Sequence, residues 1–499
     1  MYHPLGWRPH MAKVPYVRLI REFAERTPGR VSIVLEDESV TCEQLERRSS
    51  RLARAYASMG VRQGDFVTLC LPNRAEYFYA CAAVWKLGAV PNPLPPNMPR
   101  LEREALVAEA DPSLIVGAGQ EEWSGRATLP AGFEPAASLS DEPLPEKVAP
   151  HERAMPSGGS TGRPKLIIPA NPALYDVDHP PAVFNSRNAM LVPGPLYHAG
   201  PYSAAWGGLF AGGKIVVMSR FDAEQCLQLI ERHRIDRVFF VPTMLNRIWK
   251  LPEEVRRRYD LSSLEFVLSG GAPCPQWLFR AWIEWLGPER MFEGYGPSER
   301  IGRTFITGPE WLQRPGSVGR PMDGCRVKIL DEQGRELPSG EIGEIYMLPA
   351  SGPGTTFTYR GAERRRTPDG WESVGDLGWF DADGYLYIAD RRTDMILCGG
   401  RNVYPAEIEA ALNSHPAVRS SVVIGLPHED LGQSIHAIVE TDSADDEALR
   451  AHLEPRLVRY KWPHSFEYVR MPLHNEAGKV RRSALREERM ARCVIMRRR

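Results

Sequence analysis

The sequence predicts an α/β protein, with a large N-terminal domain of α/β subdomains, largely parallel in sheet, and a small α+β domain after it. Three observations carry this expectation. Apolar segments of helical and strand period alternate through the first part of the chain. At 499 residues the chain is too long for one ordinary hydrophobic core. The pattern then changes character near DADGYLYIADRRTDMI, and the residues beyond it fit a separate compact unit. The expected domains are 1–390 and 391–499.

Each element has its own local signature. In VPYVRLIREFAERTPGR, Val17, Ile20, Phe23 and Ala24 share one helical face, and Pro28-Gly29 ends the run. VSIVLED reads as a short buried strand. Thr41 and Gln44 have the spacing of a capping box, opening a helix that buries Leu45, Leu52, Ala53, Tyr56 and Met59 until Gly60 stops it. DFVTLCLPN is a second buried strand, and the alternation continues through AVWKLGAVPNPL, GGKIVVMSRF and RVFFVPTML. Residues 119–156, rich in Pro, Glu and Ala with little period, read as a surface connection. The small domain has one helix, PAEIEAALNSHP, one alternating strand, SIHAIVE, and a basic ending.

Composition narrows the function. With 43% hydrophobic and 25% charged residues the chain has the make-up of a globular protein. Its 62 basic and 63 acidic residues nearly cancel, so no global field gathers nucleic acid or an anionic membrane, and small-molecule chemistry is the better expectation. The eight cysteines have no CxxC spacing, which argues against a zinc site and a disulfide framework and for reduced thiols in the cytoplasm. The segment MYHPLGWRPHMAKVPY has no signal-peptide core, and no apolar stretch reaches the roughly 18 residues of a membrane span.

The stretch SGGSTGRPK, Ser157 to Lys165, offers clustered backbone N–H groups, hydroxyls and a cation, a concavity suited to phosphate oxygens. It is not a Walker loop, because Pro164 precedes the lysine and Leu166 follows it where a magnesium-binding hydroxyl is needed. Alone, it reads equally as a surface loop.

Three further segments decide between those readings: GGAPCP with FEGYGPSE, then GDLGWFDADGYLYIADRRTDMILCGGRNVYPAEIE, then NEAGKVRRSALR. In this order and spacing they resemble the adenylate-forming superfamily, which holds acyl-CoA synthetases, peptide-synthetase adenylation domains and luciferases. The resemblance runs over nearly the whole chain to Lys479. It implies that a carboxylate attacks ATP to give an acyl-adenylate and pyrophosphate, and that the acyl group then passes to a thiol, with ATP, Mg2+ and CoA as the small partners. A carboxylate is already ionised at neutral pH, so the step needs no base; it needs two anions held together and charge stabilised on phosphorus.

The resemblance assigns roles by position. The loop residues Ser157, Gly158, Gly159, Ser160, Thr161, Gly162 and Lys165 would cover the phosphates, with Thr161 and Glu299 on the magnesium. Tyr295 would lie along the adenine, with the backbone of Gly271, Ala272 and Pro273 at its edge and Glu293, Gly294, Gly296 and Ser298 flanking it. Asp376, an acceptor-only side chain, would take the ribose hydroxyls, and Arg391 would donate to the sugar or a phosphate. Lys479 would bridge the acid and the α-phosphate, and His198 would gate the path between acyl pocket and thiol. After rotation of the small domain about a hinge at Thr393, Gly399 and Gly400 would line the pantetheine tunnel. Thr393 departs from the Asp or Lys usual in the family, as do Gly158 and Leu166 from its Ser and Gly.

For the acid, the sequence offers Tyr202, Trp206 and Ile301 with Gly200, Gly207, Gly208 and Gly302, and no evident fixed charge. That predicts an apolar acid, wide enough to be polycyclic, similar to those handled by ligases of bile-acid-like or diterpenoid acids of the platensimycin type. The alternative acceptors are a carrier protein or a partner ligase, and the resemblance leaves open a homodimer. A non-catalytic scaffold is the third reading; Glu299, Asp376, Arg391 and Lys479 together argue against it.

Overall fold

The computed structural model describes residues 13–497 except 37, 120–122, 124, 158–164 and 477. Thr41 caps the helix Cys42–Ser58 with both bonds of the capping box, Gln44 N–H to the Thr41 hydroxyl and Thr41 N–H to the Gln44 side chain. Gly60, at φ +99°, ends it where a side chain would be strained. The preceding helix, Tyr16–Arg26, buries Tyr16, Val17, Leu19 and Ile20, while Phe23 is only partly covered.

A long sheet organises the large part, with 15 strands among the described residues. Its centre is parallel: Val31–Val34, Lys214–Val217, Ala189–Val192, Arg237–Phe240, Phe266–Gly270 and Met291–Tyr295 lie side by side in that order. From Thr304 onward the pairing turns antiparallel, through Thr304–Thr307, Ser317–Pro321, Leu386–Arg391 and Asp376–Phe380. The sequence predicted mostly parallel sheet. Part of the difference has a simple cause, since parallel neighbours need a crossover, whereas Asp376–Phe380 and Leu386–Arg391 are joined by a short turn that permits only antiparallel pairing. A second sheet, all parallel, sets Phe66–Leu69 between Val90–Pro93 and Leu114–Val116.

The described residues of 119–156 are largely exposed, as expected of a surface connection, but they are tied to the large domain and sink into it at their end. Asp141 pairs with Arg47 and Arg51, Glu146 pairs with Arg18, and Glu152 and Arg153 are buried. The stretch straps the two N-terminal helices and ends beneath the cleft.

After Arg391 the chain leaves the large sheet, and from Ile396 it builds a five-stranded sheet with its own core, led by Ile396, Val403, Ile408, Val423 and Ile435. Arg391, expected in the small domain, is thus the last residue of a large-sheet strand. No helix among the described residues is long and apolar enough to cross a membrane.

Candidate active site

A cleft of about 2690 Å³ opens between the C-terminal ends of the parallel strands and the small sheet. That is where open α/β sheets place their ligands. The strand Met291–Tyr295 delivers Glu293, Gly294 and Tyr295 to it, and the turn beyond adds Gly296, Ser298 and Glu299. The neighbouring strand Phe266–Gly270 ends at Gly271, whose φ of +81° turns the backbone so that Gly271, Ala272 and Pro273 line the same wall.

On the opposite wall Asp376 and Arg391 face each other as register partners of one antiparallel pair, with Arg391 Nε 3.4 Å from Asp376 Oδ1. The Tyr295 hydroxyl donates to Asp376 Oδ2 at 2.6 Å, which ties the two walls of the cleft together. Burial, then Asp376, pushes the Tyr295 phenol well above its ordinary range, so it stays a donor.

Glu299 is buried and accepts a 2.5 Å bond from the Tyr359 hydroxyl. Lys165 lies 3.9 Å from the centre of the same Tyr359 ring, a cation–π contact. Tyr359 is therefore a site residue that the sequence did not reveal; it sits in a strand, Phe357–Arg360, paired to Leu166–Pro169, and has no motif of its own. Ser157 N–H donates to Lys165 O at 3.0 Å and closes the base of the glycine-rich loop. Gly158, Gly159, Ser160, Thr161 and Gly162, the expected phosphate cradle, lie outside the described residues.

The small domain supplies Lys479. A turn in which Lys479 N–H donates to Asn475 Oδ1 at 2.9 Å carries it into the cleft. Burial and Arg391 pull its ammonium down, while Glu299 holds it up. His198, just before the helix Ala199–Phe210, is held down to about 3 by burial and then by Lys479, so its ring is neutral near pH 7. The His198 Nε2 has no protein partner among the described residues. Glu293 is pushed up to about 8 by burial and so enters neutral solution protonated.

Thr393 stands between two anchors. Arg392 pairs with Glu344 of the large sheet at 3.0 Å, and Asp394 pairs with Arg482 of the small domain at 3.0 Å. Gly400 is not brought to the cleft; it lies in an exposed turn at φ +76° with open space around it. Across the cleft Trp277 Nε1 donates to Ala410 O at 3.2 Å, Asn246 Nδ2 donates to Arg419 O at 3.2 Å, and Arg481 pairs with Glu102.

The expected acyl wall needs correction. Tyr202 and Trp206 turn into the core, where Trp206 meets Trp85 edge-on at 4.5 Å, and Ile301 joins another buried cluster. The glycines do not leave open space either: a Cβ on Gly200 would stand 2.6 Å from the Phe239 ring, and one on Gly207 would stand 2.4 Å from Phe184. Gly208 and Gly302 are filled likewise, by Ile215 and Met347. Gly200 and Gly207 let the Phe239 and Phe184 rings press onto the helix backbone, so that wall is aromatic. Nor is the end of the cleft free of fixed charge, since Arg153 and Arg300 line it. For Arg300 the sequence carries no such signal, because its partner Glu152 lies 148 positions away.

Among the described residues no group of three or more His, Cys, Asp or Glu side chains is placed to hold a metal ion. Glu299 alone fits magnesium that is carried chiefly by phosphates, which is the usual manner of that ion.

Comparison with known proteins gives the family and the fold. Residues 20–359 match the AMP-binding enzyme family and residues 407–479 match the AMP-binding enzyme C-terminal domain. The chain is 31% identical to a 2-succinylbenzoate–CoA ligase of Bacillus licheniformis, over 93% of this chain and 98% of that one. It is 32% identical to a feruloyl-CoA synthase of Amycolatopsis, over 93% and 96%. The solved o-succinylbenzoate CoA synthetase of Bacillus subtilis with ATP and magnesium superposes at a TM-score of 0.76, with 27% identity over 95% of this chain and 99% of that one.

Proposed function

We propose a reaction for a chain that belongs to the AMP-binding enzyme family: ATP-dependent activation of an organic acid, then transfer of its acyl group to CoA. One observation carries the reading. Lys479, on the small domain, lines the same cleft as Glu299 and Arg391 and lies close enough to His198 to lower its basicity.

In the first step a carboxylate oxygen of the acid bonds to the α-phosphorus as the bond to the bridging oxygen of the β-phosphate breaks, and pyrophosphate leaves. The residues do no proton transfer. Lys479 donates to the oxygens on which charge collects, and the anionic nucleotide restores to it the proton affinity that burial removes. Tyr295 and Asp376 fix the nucleoside, Lys165 and Ser157 with the loop between them meet the phosphates, and Glu299 would hold magnesium, which supplies charge neutralisation there. Neutral His198 puts no charge beside the attacking carboxylate.

In the second step the thiol sulfur attacks the acyl carbon, AMP departs, and the thiol proton passes to solvent. Lys479 then occupies the space that the thiol needs. Support for a rotation about Thr393 lies in the anchors on either side of it, Arg392 to one domain and Asp394 to the other. The rotation would bring the turn at Gly400 to the tunnel. The aromatic wall of Phe184 and Phe239 favours a compact ring-bearing acid over a wide polycyclic one.

The test is pyrophosphate release and hydroxylamine trapping over a panel of acids, with and without CoA. Release without CoA and thioester with it is the expected result. Release with a carrier protein as sole productive acceptor would replace CoA in the account, and no trapped anhydride from any acid would end it.

A further inference from the structure

The acyl end of the cleft holds a cluster that the two chemical steps do not use. Glu152 is buried and accepts from Arg300 Nη2 at 2.7 Å, from Arg153, and from the Tyr16 hydroxyl at 3.2 Å. Burial pushes its carboxyl up, but Arg300 and Arg153 outweigh that and hold it below the usual carboxylate range. Among the described residues Glu152 is the sole acid within ion-pair distance of either arginine. Two guanidiniums and one carboxylate leave one positive charge at the cleft wall without a partner anion among the described residues, a place that an anionic ligand can fill.

Both arginines line the cleft. Arg300 is enclosed by the fold, yet 35% of its side-chain surface stays open, and it is a lining residue of the cleft. Its backbone is left-handed, φ +57°, which is uncommon outside glycine and persists where surroundings hold it. That twist sends Glu299 to Tyr359 and Arg300 to Glu152, one side chain toward the nucleotide and the next toward the acid. Arg153 Nη1 donates to Ser203 Oγ at 3.3 Å and lies over the Tyr202 ring. Ser203 is on the helix that begins beside His198, so this cluster lies roughly 7 Å along the helix from the reacting end.

We propose that Arg300 and Arg153, set by Glu152, form a second anion subsite at the far end of the acyl pocket, and that the acid activated here carries a second carboxylate. The inference rests on the adenylating reading above and adds the substrate class to it. A guanidinium matches a carboxylate bidentately, and Arg300 has donors to spare after its bond to Glu152.

The test compares matched acids with and without the second carboxylate: benzoate against terephthalate, cinnamate against 4-carboxycinnamate, and hexanoate against adipate. Pyrophosphate release without CoA is measured for the wild type, Arg300→Met and Arg300→Lys, with AMP-induced thermal stabilisation as the check that each variant folds. The diacid should be preferred in kcat/KM by roughly 10- to 100-fold in at least one pair, as expected for a charge-assisted bond. Arg300→Met should bring that ratio close to one, and Arg300→Lys should restore part of it. Equal turnover of both members of every pair, or a preference untouched by Arg300→Met, overturns the subsite while leaving adenylation standing. No pyrophosphate from any acid overturns the adenylating reading itself, and the subsite with it.

Discussion

Gly478 lies against Thr243 with no room for a side chain between them: a Cβ on Gly478 would stand 2.4 Å from Thr243 Oγ1, and the glycine sits at φ +71°. The contact spans the cleft and seats the residue next to Lys479 on the large domain. A methyl group there forces the turn away from Thr243 and strains a left-handed backbone. Gly478→Ala should therefore lower pyrophosphate release by roughly 100-fold, the scale of losing one charge-stabilising donor. Thioester formation from chemically prepared acyl-AMP, which needs the turn elsewhere, should change little. Equal loss in both half-reactions would show that the contact serves stability alone.

The bond from Tyr295 to Asp376 predicts an effect on the nucleotide. Asp376 keeps lone pairs free beyond Tyr295 and Arg391, and those are available to a ribose. Asp376→Asn should weaken AMP binding by roughly 10- to 100-fold, the range for a hydrogen bond to a charged group. Calorimetric titration with AMP checks this, and an unchanged Kd contradicts the assignment.

Gly400 makes a prediction by its distance from the cleft. Nothing lies within 4 Å of a Cβ built there, so bulk is sterically free in this pose, although φ +76° adds strain of about 1 kcal/mol for a non-glycine residue. Gly400→Leu should spare acyl-adenylate formation and suppress thioester formation. Equal loss of both steps removes the turn from the thiol path.

Two buried groups give stability opposite slopes with pH. Glu293, raised from 4.5 to about 8, folds protonated, so its contribution is whole below 4.5 and is lost as pH rises through about 8. His198, lowered from 6.5 to about 3, contributes fully above 6.5 and is lost as pH falls through about 3. Glu293→Gln, which keeps the neutral shape, should remove a decline of about 1.4 kcal/mol per pH unit between those two Glu293 values. Chemical denaturation of both proteins across pH 5–8 reads it; parallel curves would mean that Glu293 folds ionised.

What was legible in the sequence was local or motif-borne. The Thr41–Gln44 capping box needs a spacing of three, and Gly271, Tyr295, Glu299, Asp376, Arg391 and Lys479 stand in dense patterns and line one cleft. What was not legible depends on partners far apart in the chain. Glu152 and Arg300 are 148 positions apart, and Tyr359 meets Glu299 across 60. A glycine in a sequence cannot show whether its missing side chain leaves space or admits a neighbour; at Gly200 and Gly207 a phenylalanine ring fills it. Nor does helical spacing tell which aromatic face turns inward, so Trp206 read as a pocket wall and proved to be core.

The central claim concerns Lys479, and single-turnover pyrophosphate release by Lys479→Ala tests it most directly, alongside ATP binding by the same protein. The account predicts a loss on the order of 10² to 10³ in rate with ATP still bound. A rate close to the wild type would contradict it.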